Sequence, residues 1–272
     1  MRVKIVRGVP KTIIRGGSNM YGSMEYRQER DMYLRSWLHS KSQIIDNISE
    51  NYFKALCYFS LIDNFAQEYF NYPTSKQNAD AFCKFVIKFN SSYSFLDEYD
   101  PVTLYYDFET QLEPSFDLSF LDFGINYNPD QAVLHGKASE MVQYLHEAGI
   151  DRRIGKHKFV RLLYSYRSKL SHELFNQHSM LATDLHLLPE YPYYISCSRS
   201  YETEDGRVRN NYWDLVVPIG FIKKLALECI SNYLDYSLEN KNDQSSPELC
   251  VNSLSYNQAT DFLEAGLSAC NC

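Results

Sequence analysis

The chain has 272 residues, 44% hydrophobic and 22% charged, which supplies a sizeable core and excludes wholesale disorder. Glycine and proline number only 11 and 9, against 23 tyrosines and 16 phenylalanines, a balance that favours aromatic-packed helices over a chain of tight turns. The net charge of −7 argues against a generic nucleic-acid coat, and no apolar run reaches the ~18–20 residues of a membrane span.

Residues 1–30 read as a basic N-terminal arm in which Arg2, Lys4, Arg7, Lys11 and Arg15 precede any acid. The opening MRVKIVRGVP has no secretory apolar stretch or cleavage site, so a soluble, cytoplasmic protein with no membrane partner is expected. From Lys41 to Asn71, Ile44, Ile45, Ile48, Tyr52, Ala55, Leu56, Phe59, Ile62, Phe65, Ala66 and Tyr69 recur at helical spacing and predict one long helix. A second helix is predicted over Asn78–Phe89. Residues 91–130 then read as an acidic, aromatic insertion with short extended pieces. It holds nine acids between Asp97 and Asp130 and no lysine or arginine.

Helical periodicity returns over Gln131–Ala148, with Gly149 placed as a C-cap. A basic helix follows over Lys156–Leu174, with Phe159, Leu162, Leu163, Tyr166 and Leu170 on one face. Seven cations and no acid lie between Arg152 and His172. Alternation around Glu204-Asp205-Gly206 predicts a β-hairpin over 190–218. Pro218 fits the first turn of a last long helix with Ile222, Leu225, Ala226, Cys229, Ile230, Tyr233 and Leu234 as its stripe. Residues 241–272 read as a polar tail. The fold class is mainly α: a helical domain over 41–240 that carries the insertion and the hairpin.

The seven cysteines are odd in number and form no C-x-x-C pair, which points to reduced thiols, with Cys57, Cys83 and Cys229 as core residues. Cys270 and Cys272 form a C-x-C with no histidine partner, and His172, His178 and His186 are spaced by six and eight, outside the helical ligand spacings. No Walker loop, dinucleotide fingerprint, nucleophile elbow or H-E-x-x-H is present. No metal or cofactor is therefore expected.

What remains is Arg167 and His172, separated by four residues inside the basic helix. A guanidinium grips phosphate oxygens with a planar fork and stabilises charge that builds in a phosphorane-like transition state. An imidazole takes a proton from a 2′-hydroxyl or gives one to a leaving oxygen. Together they suffice for metal-free RNA cleavage, since the RNA supplies its own nucleophile. Lys156, Arg161 and Lys169 would attract the backbone, and Tyr164 offers a ring, whereas Tyr166 lies on the apolar stripe. Five steps of 100° set Arg167 and His172 about 140° apart on a straight helix. Convergence on one phosphate then calls for a bend, a helix end near Ser171, or a second copy of the helix.

The stretch LLYSYRSKLSHELF (Leu162 to Phe175) resembles the core helix of the HEPN superfamily, whose signature is an arginine, four to six residues, then a histidine. NYFKALCYFSLIDNFAQEY (Asn51 to Tyr69) is similar to the first helix of that family's larger members. The resemblance implies an all-α bundle that dimerises through the motif helices. It also implies a metal-independent endoribonuclease of the toxin or phage-defence kind, with Arg167 and His172 as catalytic pair and an antitoxin or defence-system partner. Ser168 departs from the Asn, Asp or His that many members carry after the arginine. The alternative is a non-catalytic dimeric module that binds RNA, a nucleotide or an acidic partner protein. A further expectation concerns the acidic 97–130 block, which would lie over the basic helix as an electrostatic gate.

Overall fold

The computed structural model describes residues 24–70, 78–121, 131–151, 153–172, 191–203 and 206–239. Among them are seven α-helices and one two-stranded antiparallel sheet, in the order α1 (Met24–Asp46), α2 (Asn51–Phe70), α3 (Asn78–Phe89), α4 (Pro101–Phe108), α5 (Gln131–Glu147), α6 (Phe159–His172), β1 (Tyr193–Thr203), β2 (Gly206–Val216) and α7 (Ile219–Glu239).

Helix α2 is the axis of the bundle. Its buried residues Ala55, Tyr58, Phe59, Leu61, Ile62, Phe65, Ala66 and Tyr69 cover more than one face, as expected of a helix enclosed by neighbours. Those neighbours are α1, α3, α6 and α7. Burying each of Phe59, Leu61, Ile62 and Phe65 stabilises the fold by about 1.5–3 kcal/mol relative to exposure. Phe65, Tyr69, Phe85, Phe89 and Tyr233 meet mostly edge to face across α2, α3 and α7, the arrangement that ring quadrupoles favour.

The stripe expected as one helix from Lys41 to Asn71 is two helices. α1 ends at Asp46, the chain turns over Asn47–Glu50, and α2 starts at Asn51. Ile44 accordingly faces solvent while Ile45 is buried. α1 extends back to Met24, and among its described side chains the buried apolar ones are Leu34, Leu38 and Ile45, too sparse a stripe to stand out in the sequence.

Residues 91–121 of the expected insertion contain a 3-10 turn and a short helix besides an extended piece at residues 98–100. Ser94–Asp97 form a 3-10 turn, and α4 begins at Pro101 with the Asp100 side chain accepting from the Thr103 amide at 2.6 Å. Asp followed by Pro is a helix start, N-cap then N1, and Val102, Leu104 and Phe108 are its buried face. Leu104 and Phe108 form a second, smaller core with Leu112, Ala138, Met141, Leu145 and Ile154, while Val102 joins the main one. α5 closes on Gly149 at φ 74°, with the Ile150 amide bonded to the Leu145 carbonyl and the Gly149 amide to that of His146. This is the glycine cap read from the sequence.

The lobe of α4 and α5 is tied to the bundle through the lead-in to α6. Tyr99 and Lys158 form an isolated antiparallel bridge, the Asp100 amide bonds the His157 carbonyl, and the Phe159 amide bonds the Glu98 carbonyl. α6 therefore starts at Phe159, three residues after the expected start, because Lys158 is extended at ψ 137° to make that bridge.

The hairpin forms in the expected place, and its ladder pairs Tyr193 with Val216 through to Thr203 with Gly206. Its base is anchored by buried Tyr194, Leu215 and Val216. Pro218 stands just before α7, its carbonyl accepting from the Ile222 amide. No described helix is long and apolar enough to cross a membrane. The expected basic arm and the polar tail lie outside the described residues, except that α1 takes up residues 24–30.

Candidate functional site

α6 packs its apolar face, Phe159, Val160, Leu163, Tyr166 and Leu170, against α2 and α3, and all five residues are buried. Arg167 falls at the edge of that face and turns towards α2. Its Nε approaches Asp63 Oδ2 at 2.5 Å, with the Asp63 side chain only 4% exposed and that of Arg167 23% exposed. The N–H does not point along the line to the oxygen, so the contact is a close ion pair more than an aligned hydrogen bond. Burial pushes the Asp63 carboxyl up to about 6, and the neighbouring guanidinium opposes that rise. Among the described residues, the two Nη atoms of Arg167 make no hydrogen bond. The outer fork of the guanidinium thus remains available for an anion.

Tyr164 is not an open stacking platform. Its ring centroid lies 5.5 Å from that of Phe82 and 5.9 Å from the Arg167 guanidinium carbon, so it packs between α3 and the arginine. Burial raises its hydroxyl above the usual range, with the Asp63 charge acting in the same direction.

The cations of the basic block are largely answered within the chain. Lys156 pairs with Asp107 at 2.7 Å, Lys158 with Asp97 at 2.8 Å, and Arg161 with Asp80. Of the residues expected to attract RNA, Lys156 and Arg161 are thus engaged, and Lys169 is exposed with no ion pair among the described residues. Two acids of the 97–130 block do reach the basic segment, but at its N-terminal end. Lys158 precedes Arg167 by nine residues, about 13 Å along a helix axis, so these pairs fasten the α4 lobe and do not cover Arg167.

His172 is the last residue of α6, and its side chain lies outside the described residues. The helix is continuous from Phe159 through Ser171, so neither a break nor an end before His172 brings the two motif positions together. Their backbone directions differ by about 140°. His178, His186, Cys270 and Cys272 also lie outside the described residues, and within those described no group of three His, Cys, Asp or Glu is placed to hold a metal. Cys83 and Cys229 are buried as expected, whereas Cys57 is half-buried.

Sequence reasoning missed Asp63. The available signal was an acid inside the apolar stripe of α2, with Phe59, Ile62 and Ala66 around it at helical spacing. It also missed Tyr52, whose hydroxyl donates to the Leu170 carbonyl and pins the start of α2 to the last turn of α6. A third omission is His157, whose side chain is 6% exposed. Its Nε2 faces Asp107 Oδ2 at 3.1 Å and its Nδ1 faces Thr103 Oγ1 at 3.1 Å. A carboxylate only accepts, so Nε2 carries the proton towards Asp107. Burial lowers the pKa of this imidazole, with Asp107 pulling the other way. His157 is a bolt between α4 and α6. No family model, curated protein or solved structure matches this chain.

Proposed function

We propose that this chain is a metal-independent endoribonuclease of HEPN type, acting through Arg167 and His172 of two paired copies of α6. The 2′-oxygen attacks the adjacent phosphorus and the bond to the 5′-oxygen breaks, leaving a 2′,3′-cyclic phosphate and a 5′-hydroxyl. Arg167 holds the non-bridging oxygens as charge builds on them, and His172 takes the 2′-proton or returns one to the leaving oxygen. The observation that carries this reading is the state of Arg167: anchored through Nε by a buried carboxylate, its outer fork unengaged among the described residues. The 140° offset along a continuous helix supports the pairing of two copies, which sets the arginine of one beside the histidine of the other. Control by an antitoxin or defence-system partner belongs to the same proposal.

The test is cleavage of mixed cellular RNA by the purified protein in EDTA, with the product ends identified. Arg167→Ala and His172→Ala should each reduce the rate by at least about 100-fold, the scale of a lost transition-state contact or general acid–base. Variants that cut as well as the parent would overturn the assignment. The internal pairing of Lys156, Lys158 and Arg161 favours a second reading, a non-catalytic module, since it engages three of the described cations at the start of α6 that would otherwise meet RNA. Such a module retards RNA on a gel and leaves it intact.

A further inference from the structure

Among the described residues, His157 and Asp100 are buried polar groups at the seam between the α4 lobe and the lead-in to α6. His157 holds that seam twice. Its carbonyl accepts from the Asp100 amide at 2.8 Å, and its ring stands edge to face on Phe108 of the small core, centroids 5.6 Å apart. Asp100 in turn accepts from the Thr103 amide and the Tyr194 hydroxyl, and the Tyr106 hydroxyl of α4 accepts from the Trp213 amide. The ribbon of β1 and β2 is thus seated on the same helix.

The surroundings of the ring set what a second proton does. Asp107 Oδ2 faces Nε2 at 3.1 Å, but the same oxygen takes the Lys156 ammonium at 2.7 Å. The carboxylate is already answered by a closer cation, and a charged ring would stand beside that cation. Asp100 adds a weaker negative charge. From α5 the small core presents Ala138, Met141 and Leu145, none of which ionises. Thr103 Oγ1 lies 3.1 Å from Nδ1 and 3.4 Å from the Asp100 carbonyl, so a proton on Nδ1 finds an acceptor without rearrangement. Hydrogen bonding therefore admits the charged ring. Burial and the neighbouring Lys156 oppose it, and against the pull of Asp107 they hold its pKa below the ordinary histidine value.

We propose that His157 is a proton-operated latch: charging its ring frees the lobe of α4 and α5, with the ribbon seated on it, from the lead-in to α6. A histidine whose pKa is lowered by folding contributes stability that is complete above about 6.5 and is lost as pH falls to the folded value. Opening of the lobe therefore rises by up to about tenfold per pH unit across that window and then levels off. The main bundle responds in the opposite sense, because burial raises the Asp63 and Glu68 carboxyls to about 6 and about 7. Mild acid loosens the lobe while it tightens α2. The inference is independent of the nuclease reading.

The experiment is hydrogen exchange of the full chain between pH 7.5 and pH 5, above the range in which Asp107 titrates, with the His157 ring followed by NMR. Protection factors in α4 and at residues 194 and 213 should fall about 3–10-fold towards pH 5, while those in α2 do not fall. His157→Gln keeps a polar side chain that cannot charge, and it should abolish the fall. Lys156→Ala loosens the lobe at pH 7.5 but should flatten the response, since the ring then charges against an unshared Asp107. Asp107→Asn should steepen it. His135→Gln and His146→Gln, which remove the histidines paired with Glu98 and Asp151, should respond like the parent. Flat protection in α4 overturns the proposal, as does a fall that survives His157→Gln or a ring that titrates above 6.5. Should His157→Gln not fold, the opposed responses of Lys156→Ala and Asp107→Asn decide, and equal responses overturn it.

Discussion

A carboxylate in the middle of an apolar helix costs the fold unless a cation answers it, and Asp63 is answered by Arg167 alone among the described residues. The sign of the resulting pH dependence follows from burial. The Asp63 carboxyl rises from 3.8 to about 6 on folding. Between those values the folded chain holds a proton that the unfolded chain releases, so stability is greatest below the window and falls as pH rises through it. The unfolding free energy of the parent, measured against Asp63→Asn in urea, should therefore decline by on the order of 2 kcal/mol from pH 4 to pH 7. A flat difference would mean that Asp63 is not held ionised in an apolar setting. If Arg167 acts on phosphate, the same substitution should also slow RNA cleavage about 10–100-fold, the scale of a misplaced catalytic group. Binding should change less, giving a fall in kcat with KM nearly unmoved.

At the scale of elements, α4 depends on Asp100, which caps its first turn and also accepts a hydrogen bond from the Tyr194 hydroxyl of β1. Asp100→Ala should lower stability by about 0.5–2 kcal/mol from the cap alone. Hydrogen exchange should quicken first in α4 and at the base of the hairpin, while α2 and α7 stay protected. Uniform exchange across the chain would mean that the lobe does not open by itself. Helices α3, α5 and α7 and the hairpin were legible in the sequence because each has a regular apolar period bounded by a clear stop or turn. α1 was not, since Leu34, Leu38 and Ile45, the buried aliphatics among its described side chains, are diluted in a polar helix. α4 was misread because an acidic, aromatic stretch resembles an irregular insertion, and the Asp-Pro start was overlooked. The pairing of Asp63 with Arg167 joins positions 104 residues apart (167 − 63), which no local spacing encodes.

Over the described residues, the cationic block at α6 does not stay separate from acids once the chain folds. The cationic stretch before and within α6 is met by Asp63, Asp80, Asp97 and Asp107 from four separate segments. The expected weight of these positions changes accordingly. Lys169→Ala should weaken RNA binding and reduce the salt slope by about 0.7, the release of one counterion from a single strand. Lys156→Ala should leave that slope within error and instead loosen the α4 lobe, and the two are compared by titration at several salt concentrations. Equal slope changes for both would show that Lys156 leaves Asp107 to meet RNA. Fold class was readable from the sequence, but which cations stay free was not, because that depends on acids brought in from distant segments.

The ribbon is gripped at its base by Tyr106 and by the bond from Tyr194 to Asp100, and the same short helix holds His157 at the threshold of α6. With eleven residues to a strand at about 3.4 Å each, it reaches roughly 35 Å from tip to root. It is therefore a lever whose fulcrum is α4: torque applied at its far end is delivered to the first turn of the helix that carries Arg167.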